Sequence, residues 1–318
     1  MSKRILVTGG AGFLGTNLIS RLAWDPENEV IVLDNFSTGF RRRKIWPGGI
    51  EPNVEWIRHD VIEPFNIECD EIYHLACPAS PSDYQADPIR TVLTAVQGTA
   101  NALKCAADVT ARILIASTSE VYGEPLDHPQ TEQLWSHINP VGERGCYDTG
   151  KAAAESLAHN YSEMGVEVRI ARIHNTYGPM MAIEDGRMVS NFIVQALSGE
   201  DLTVYGDGSQ TRSLCFVDDM VDGLIGLMGN SLGEGQPVNL GNPTETTVLE
   251  VANEILRICE SESEIEFEEL PDDDPTRRCP DIGFAQRMFN FDPKIQLSVG
   301  ISRTASYFQT VLGDELDD

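Results

Sequence analysis

At 318 residues and a formal charge of −27, the chain is long enough for about two domains. It is too acidic to bind nucleic acid or an anionic membrane. Its apolar fraction of 41% sustains a real core, and no apolar run approaches the length of a membrane span. Met1-Ser2-Lys3-Arg4 leads directly into a strand pattern, so neither a signal peptide nor an anchor is expected. Seven cysteines, odd in number and without metal-ligand spacing, read as reduced thiols of a cytoplasmic protein, and no metal site is expected. Only five lysines occur. Such a surface reads either as adaptation to a high-salt cytoplasm or simply as an acidic protein.

In chain order, Arg4-Ile5-Leu6-Val7-Thr8 is a short buried strand, followed by Gly9-Gly10-Ala11-Gly12-Phe13-Leu14-Gly15 and a helix over 16–24. Glycines at 9, 12 and 15 permit a tight turn, let backbone amides approach a pyrophosphate, and let the helix pack close to its strand. A second strand, Val30-Ile31-Val32-Leu33, ends at Asp34, placed to hydrogen-bond the adenosine ribose hydroxyls. The charge of Asp34 disfavours the extra phosphate of NADP, so NAD is the expected cofactor. The basic run Arg41-Arg42-Arg43-Lys44 is read as a solvated turn. A third strand, Val54-Glu55-Trp56-Ile57-Arg58, leads to Asp60, placed to meet the adenine amine, and a fourth spans 71–76. His74 in that strand reads as structural. A helix is expected over 88–107.

The next strand, Ile113-Leu114-Ile115-Ala116, ends in Ser117-Thr118-Ser119-Glu120-Val121-Tyr122-Gly123, and Tyr147 and Lys151 follow one helical turn apart. Positions i and i+4 share a helix face, so both side chains can point into one cleft at the carboxyl ends of the strands. A free phenol titrates near pH 10; bringing it to about 7 requires roughly 4 kcal/mol. The Lys151 ammonium supplies part of that and a positively charged nicotinamide more, which makes Tyr147 a base.

A further strand over 166–173 ends at Asn175-Thr176-Tyr177-Gly178-Pro179, and a second domain is expected from Met180. Later come a helix from 218, a last strand of the first sheet at 238–240, a helix over 247–259, an acidic solvated stretch over 260–274 and a terminal helix over 298–312. Alternating strands and helices specify an α/β fold, a doubly wound parallel (Rossmann) sheet. The expected division is 1–179, with 211–241 returning to it, for NAD, and a smaller C-terminal domain, 180–318, for substrate.

These residues resemble the extended short-chain dehydrogenase/reductase superfamily, and within it the UDP-glucuronate decarboxylase family. The general likeness rests on the glycine loop, Asp34, Thr118, Tyr147 and Lys151. The narrower one rests on His74-Leu75-Ala76-Cys77-Pro78-Ala79-Ser80-Pro81, Ser117 to Gly123, His128-Pro129-Gln130-Thr131-Glu132, Asp185 to Phe192, Gly208-Ser209-Gln210-Thr211-Arg212 and Asn239-Leu240-Gly241-Asn242-Pro243. Three positions depart from the family pattern: Ala152 and Met180 where it usually has arginine, and Cys279 where it usually has lysine.

The resemblance implies a homodimer acting on a UDP-sugar by oxidation at carbon 4, loss of carbon dioxide from the β-keto acid, and return of the hydride. It implies catalytic roles for Thr118, which positions the hydroxyl, and for Tyr147 and Lys151. Glu120, Ser119 and Arg278 would hold the ring and manage the proton at carbon 5. For the cofactor it adds Phe13, Leu14, Asn35, Ser37, Thr38, Gly39, Val61, Leu75 and Ala76 to Gly9, Gly12, Gly15, Asp34 and Asp60. For the substrate it implies Pro78, Ser80, Asn175, Arg187, Tyr205, Arg212 and Arg278, with Arg212 on the diphosphate because a guanidinium matches phosphate in geometry and charge. A nucleotide-sugar 4,6-dehydratase or 4-epimerase on the same scaffold is the alternative. A dehydratase normally has Asp-Glu after the threonine, and Ser119 occupies that Asp position. A non-catalytic cofactor-binding scaffold is disfavoured by an intact Thr118, Tyr147 and Lys151.

Overall fold

The computed structural model describes residues 2–39, 52–231, 234–269 and 277–316. The Arg41–Lys44 run and part of the acidic stretch lie outside them. The described chain runs β1 (Arg4–Thr8), α1 (Phe13–Ala23), β2 (Glu29–Asp34), β3 (Val54–Arg58), β4 (Glu71–His74), α2 (Pro81–Ala86), α3 (Pro88–Leu93), α4 (Thr99–Val109), β5 (Arg112–Thr118), α5 (Gly145–Glu163) and β6 (Val168–Ile173). It continues with β7 (Thr176–Tyr177), α6 (Met188–Ser198), β8 (Leu202–Tyr205), β9 (Thr211–Ser213), β10 (Cys215–Phe216), α7 (Val217–Gly229), β11 (Pro237–Leu240), β12 (Glu245–Thr247), α8 (Val248–Cys259), β13 (Ile265–Glu268), β14 (Arg277–Arg278), α9 (Gly283–Phe289) and α10 (Leu297–Leu316).

Seven strands pair in the order β11-β6-β5-β4-β1-β2-β3, all parallel. Both faces are covered, which is why the strands read as unbroken apolar runs. Ile5, Val7, Val30 and Val32 face one core with Leu18 and Ile19 of α1 and Met220 and Leu224 of α7. Leu6, Ile31, Leu33, Ile113 and Ile115 face the other, against Ala102, Leu103 and Ala106 of α4 and Ala158 of α5. Strand order reverses between β1 and β4, and their carboxyl ends open the crevice where such sheets take ligands.

The helix expected over 88–107 is not continuous. Asp87 caps α3, accepting from the Arg90 amide at 3.0 Å, and Pro88 sits where no amide is needed. A π-helical turn at Thr94–Gly98 joins α3 to α4. Gly98 is required there, because a Cβ would lie 2.8 Å from the Val61 side chain. α1 begins at Phe13, three residues earlier than expected, so Gly15 of the glycine loop lies in its first turn. The sequence reading omitted α6 and α9. β13 lies inside the acidic stretch and pairs in parallel with β8; its glutamates are exposed, so the stretch is a solvated edge as well as a strand.

β9 does not return to the large sheet. It joins β12 and β14 in a three-stranded sheet, and the return begins with β10, which pairs with β7, and α7. The apolar core passes without a break from β1 and α7 to Phe192 of α6, Ile255 of α8 and Phe308 of α10. No described helix is long and apolar enough to cross a membrane.

One buried amide ties the last strand of the large sheet to the loops beyond β5. Asn239, 0% exposed, accepts from the Tyr122 hydroxyl at 2.8 Å and donates to the carbonyls of Gln130 (2.9 Å) and Asp281 (3.1 Å). Its own backbone amide donates to Glu132 at 2.9 Å. Replacing Asn239 by Ala strands several buried polar groups, each costing about 1–3 kcal/mol when unmatched. Asn239→Ala is expected to lower stability by roughly 2–5 kcal/mol, read as a lower urea midpoint at unchanged slope.

Candidate active site

The glycine loop is shaped by close approach. Gly9 has φ +73°, and a Cβ on it would lie 2.6 Å from the Ala76 amide nitrogen; one on Gly15 would lie 2.6 Å from the Gly10 Cα and closer still to the Gly9 carbonyl. Gly12 is different: a Cβ there would meet only the Gly9 carbonyl, at 3.3 Å, and the residue lines the cleft. This is the cradle a pyrophosphate needs, at the start of α1. Asp34 closes β2 with its carboxylate on the Ala11 amide (2.9 Å) and the Phe36 amide (2.7 Å). Burial pushes its carboxyl up, against the pull of those two amides.

A single cleft of about 810 Å³ takes in every expected cofactor and substrate residue except Asp60. Asp60 lies outside its lining, ion-paired with Arg90 of α3 and accepting from Asn35 at 3.0 Å. Desolvation opposes ionisation, but the Ile62 amide and Asn35 outweigh it and hold the Asp60 carboxyl below its usual range. Asp60 thus anchors the adenine-side loop to α3, a link that Arg90's distant sequence position concealed. His74 is buried, and its Nδ1 meets the Thr8 hydroxyl at 2.8 Å. Burial drops its pKa to about 3, so it stays neutral, as a structural residue would.

At the other end of the cleft, Thr118 ends β5 and its hydroxyl supports the Tyr147 phenol. Tyr147 is buried and stacks on Tyr84 of α2, ring centroids 5.2 Å apart and planes nearly parallel. Lys151 lies one turn along α5, with Nζ 5.9 Å from the Tyr147 ring centroid and 2.8 Å from the Ala116 carbonyl, to which it donates. The lysine is thus fixed to the strand rather than to the phenol. Burial pushes the phenol up, so the fall that a base near neutrality requires must come from positive charge in the cleft.

Glu120 sits on a 3₁₀ turn, Ser119–Tyr122, capped by Thr118. One of its carboxylate oxygens meets Arg278 of β14 at 2.7 Å and also Arg144, the residue that opens α5. Arg278 also donates to the Ser119 hydroxyl at 3.2 Å. Burial opposes the Glu120 charge, but the two guanidiniums prevail and hold the carboxyl below its usual range. Ser119, Glu120 and Arg278 are therefore brought together as the resemblance implied. Arg144 and Tyr84 are additions that the sequence reading missed.

Arg187, just before α6, pairs bidentately with Asp185 (2.5 and 2.7 Å) and lies over the Phe13 ring at 5.8 Å, close enough to Tyr147 to act on its charge. It lines the cleft between the glycine loop and Tyr147. Arg212 lies on β9, register partner of Arg278 on β14, so both project from one small sheet. Ser80 caps α2 and donates to Asp83 at 2.7 Å. Met180, in place of the family arginine, is buried with φ +77°, and Ala152 is half-buried on α5.

Residues 5–241 match the family model described as the NAD dependent epimerase/dehydratase family. UDP-glucuronic acid decarboxylase 6 of Arabidopsis thaliana is 52% identical over 313 residues, which cover 98% of this chain and 90% of that protein. Among solved structures, the epimerase Mth375 of Methanothermobacter thermautotrophicus superposes with a TM-score of 0.91 at 27% identity, over 100% of this chain and 95% of the other. DesIV of Streptomyces venezuelae, a dTDP-glucose 4,6-dehydratase with NAD bound, does so with a TM-score of 0.86 at 29% identity, over 98% of each chain. The chain therefore belongs to the NAD dependent epimerase/dehydratase family, among its UDP-glucuronic acid decarboxylases.

Proposed function

We propose that the chain decarboxylates UDP-glucuronate to UDP-xylose through a 4-keto intermediate, with NAD regenerated in each turnover. Identity of 52% along nearly the whole chain to a decarboxylase carries this reading. NAD is the cofactor; the glycine loop and Asp34 would hold it, and when bound it would supply a reversible hydride acceptor for carbon 4. Loss of carbon dioxide from the unoxidised sugar acid would leave an unstabilised carbanion, whereas a ketone at carbon 4 accepts the electron pair.

Tyr147 takes the proton of the carbon-4 hydroxyl, which Thr118 orients. Lys151 supplies fixed positive charge beside the phenol. After carbon dioxide leaves, the oxygen at carbon 4 is stabilised by the Thr118 hydroxyl and the Tyr147 phenol, donors that need not move to meet it. Two guanidiniums against the one carboxylate of Glu120 leave one net positive charge. That matches the single negative charge of the sugar acid. A carboxyl held low is a poor proton donor, so Glu120 serves chiefly to hold Arg278 and Arg144, and protonation of carbon 5 passes through water beside them. Ser119, where a dehydratase carries Asp, offers no acid for expelling a hydroxyl from carbon 6.

Arg212 and Tyr205 take the diphosphate end, with Asn175 and Arg187 toward the nucleotide sugar and Pro78 and Ser80 along the cofactor edge. In this reading residues 180–318 supply most substrate contacts and 1–179 the NAD contacts. The chain works as a cytoplasmic homodimer through α3, α4 and α5. Exposed Ile89 and Leu93 on α3, beside α5, support the dimer, and seven free thiols support the compartment.

Chromatography of nucleotide sugars after incubation with UDP-glucuronate is expected to give UDP-xylose and carbon dioxide; a 4-keto-6-deoxy product from UDP-glucose, with UDP-glucuronate untouched, would replace this reading with the dehydratase. Tyr147→Phe is expected to lower kcat by about 10²–10⁴-fold while substrate still binds. Asp34→Ala is expected to narrow the preference for NAD over NADP, measured as the ratio of their dissociation constants. Arg144→Gln removes one of the two charges that hold Glu120 ionised, so desolvation raises its carboxyl. The acid limb of kcat/KM is then expected to move to higher pH, and a limb that stays in place would show that Glu120 need not be ionised.

A further inference from the structure

We infer that His128, Glu245 and Cys279 form a site for one zinc ion outside the substrate cleft. The three residues come from separate stretches of chain: the loop after β5, the start of β12 and the residue after β14. One ligand atom from each lies within 4.8 Å of the others, and His128 Nε2 is 2.9 Å from a Glu245 carboxylate oxygen. Thiolate sulfur, imidazole nitrogen and carboxylate oxygen are the three donors that zinc takes together, at about 2.0–2.3 Å, which spaces tetrahedral ligands about 3.3–3.8 Å apart. Enclosing an ion requires side-chain movements of roughly 1 Å.

The surroundings favour a cation. The Thr211 hydroxyl donates to one Glu245 carboxylate oxygen at 2.5 Å, which turns the other toward His128. The Cys279 sulfur is buried and faces the Pro243 carbonyl at 3.3 Å. Ser213 is the antiparallel register partner of Glu245, so the two side chains leave the ladder on the same face. Ser213 is buried, and its hydroxyl lies against the Cys279 sulfur, a polar group at the edge of the site. His128 and Glu245 are partly exposed, with side chains 28% and 29% accessible, so an ion can reach them without unfolding. A protein of net charge −27 also concentrates cations at its surface.

Binding exchanges bonds simply. The Cys279 thiol gives its proton to solvent, the zinc–sulfur bond forms, and the ion sheds waters for His128 nitrogen and Glu245 oxygen. No oxidant or reductant takes part. Cys279 follows Arg278 directly, and its backbone is tied to the 128–132 segment by the Gln130 amide donating to the Cys279 carbonyl (2.8 Å) and the Cys279 amide donating to the Gln130 side chain (2.7 Å). The ion would therefore clamp the segment that presents Arg278 to Glu120. This site stands apart from the decarboxylase reading and is tested without an activity assay.

The test is titration of metal-stripped full-length protein with cobalt(II) chloride, followed by zinc competition. One equivalent is expected to bind with a thiolate-to-cobalt charge-transfer band that zinc removes. Cys279→Ser is expected to abolish the band and Cys259→Ser to retain it. His128→Gln and Glu245→Gln are expected to weaken binding by more than about tenfold, with circular dichroism verifying their fold. Absence of the band in the wild-type chain, its survival in Cys279→Ser, or unchanged cobalt affinity in folded Glu245→Gln would each overturn the site.

Discussion

A buried carboxylate shared by two arginines holds one end of the cleft together. Glu120, Arg144 and Arg278 come from the end of β5, the start of α5 and β14, and they meet at one oxygen of Glu120. Each charge is costly to bury alone, and removing one partner from such a cluster typically costs 3–5 kcal/mol. The positions of the neighbouring elements follow from meeting that demand. β14 must pair with β9 to bring Arg278 in, the 128–132 segment must hold Cys279, and Asn239 must hold that segment against the large sheet. The chain behind the site is consequently polar where a core would ordinarily be apolar. Arg172 reaches both Glu155 oxygens (2.9 and 2.8 Å) and the Tyr122 hydroxyl (3.0 Å), and Ser117 donates to the same Glu155.

The large sheet and the glycine loop after β1 were largely legible in the sequence because their determinants are local. Gly9, Gly12 and Gly15 lie within one turn, Asp34 ends the next strand, and Tyr147 and Lys151 are one helical turn apart. Periodicity of two faces and alternation of strand with helix were enough to give the parallel sheet, including its return at β11. What was illegible depends on pairs far apart in the chain. Nothing near Arg144 marks it as Glu120's partner, and nothing near Arg90 marks it as Asp60's. His128, Glu245 and Cys279 likewise meet in space without any short-range spacing to announce it. α6 is a different case: Val189, Phe192, Ile193 and Ala196 fall at helical intervals, and a closer reading of that periodicity would have found it.

Lys151 illustrates how little spacing alone says about the partner a side chain finds. The i, i+4 relation puts it on the same face as Tyr147, but its ammonium is anchored to the Ala116 carbonyl. The ring stacked on Tyr147 comes from Tyr84 instead. Spacing fixes which face a side chain shares; the partner it finds depends on what the rest of the fold brings to that face.

The unbroken apolar core between the large sheet and α6, α8 and α10 bears on how such an enzyme keeps what it makes. Two lobes joined through a polar seam open like a hinge; two lobes sharing one core do not, because opening would expose apolar side chains such as Phe192 and Phe308 to water. Traffic through the cleft must then be carried by local movement of loops. A reaction that oxidises its substrate and later reduces the product depends on keeping both the sugar and the borrowed hydride in place between the two steps. A scaffold without a hinge supplies that retention mechanically, as a vessel with a narrow mouth rather than a jaw.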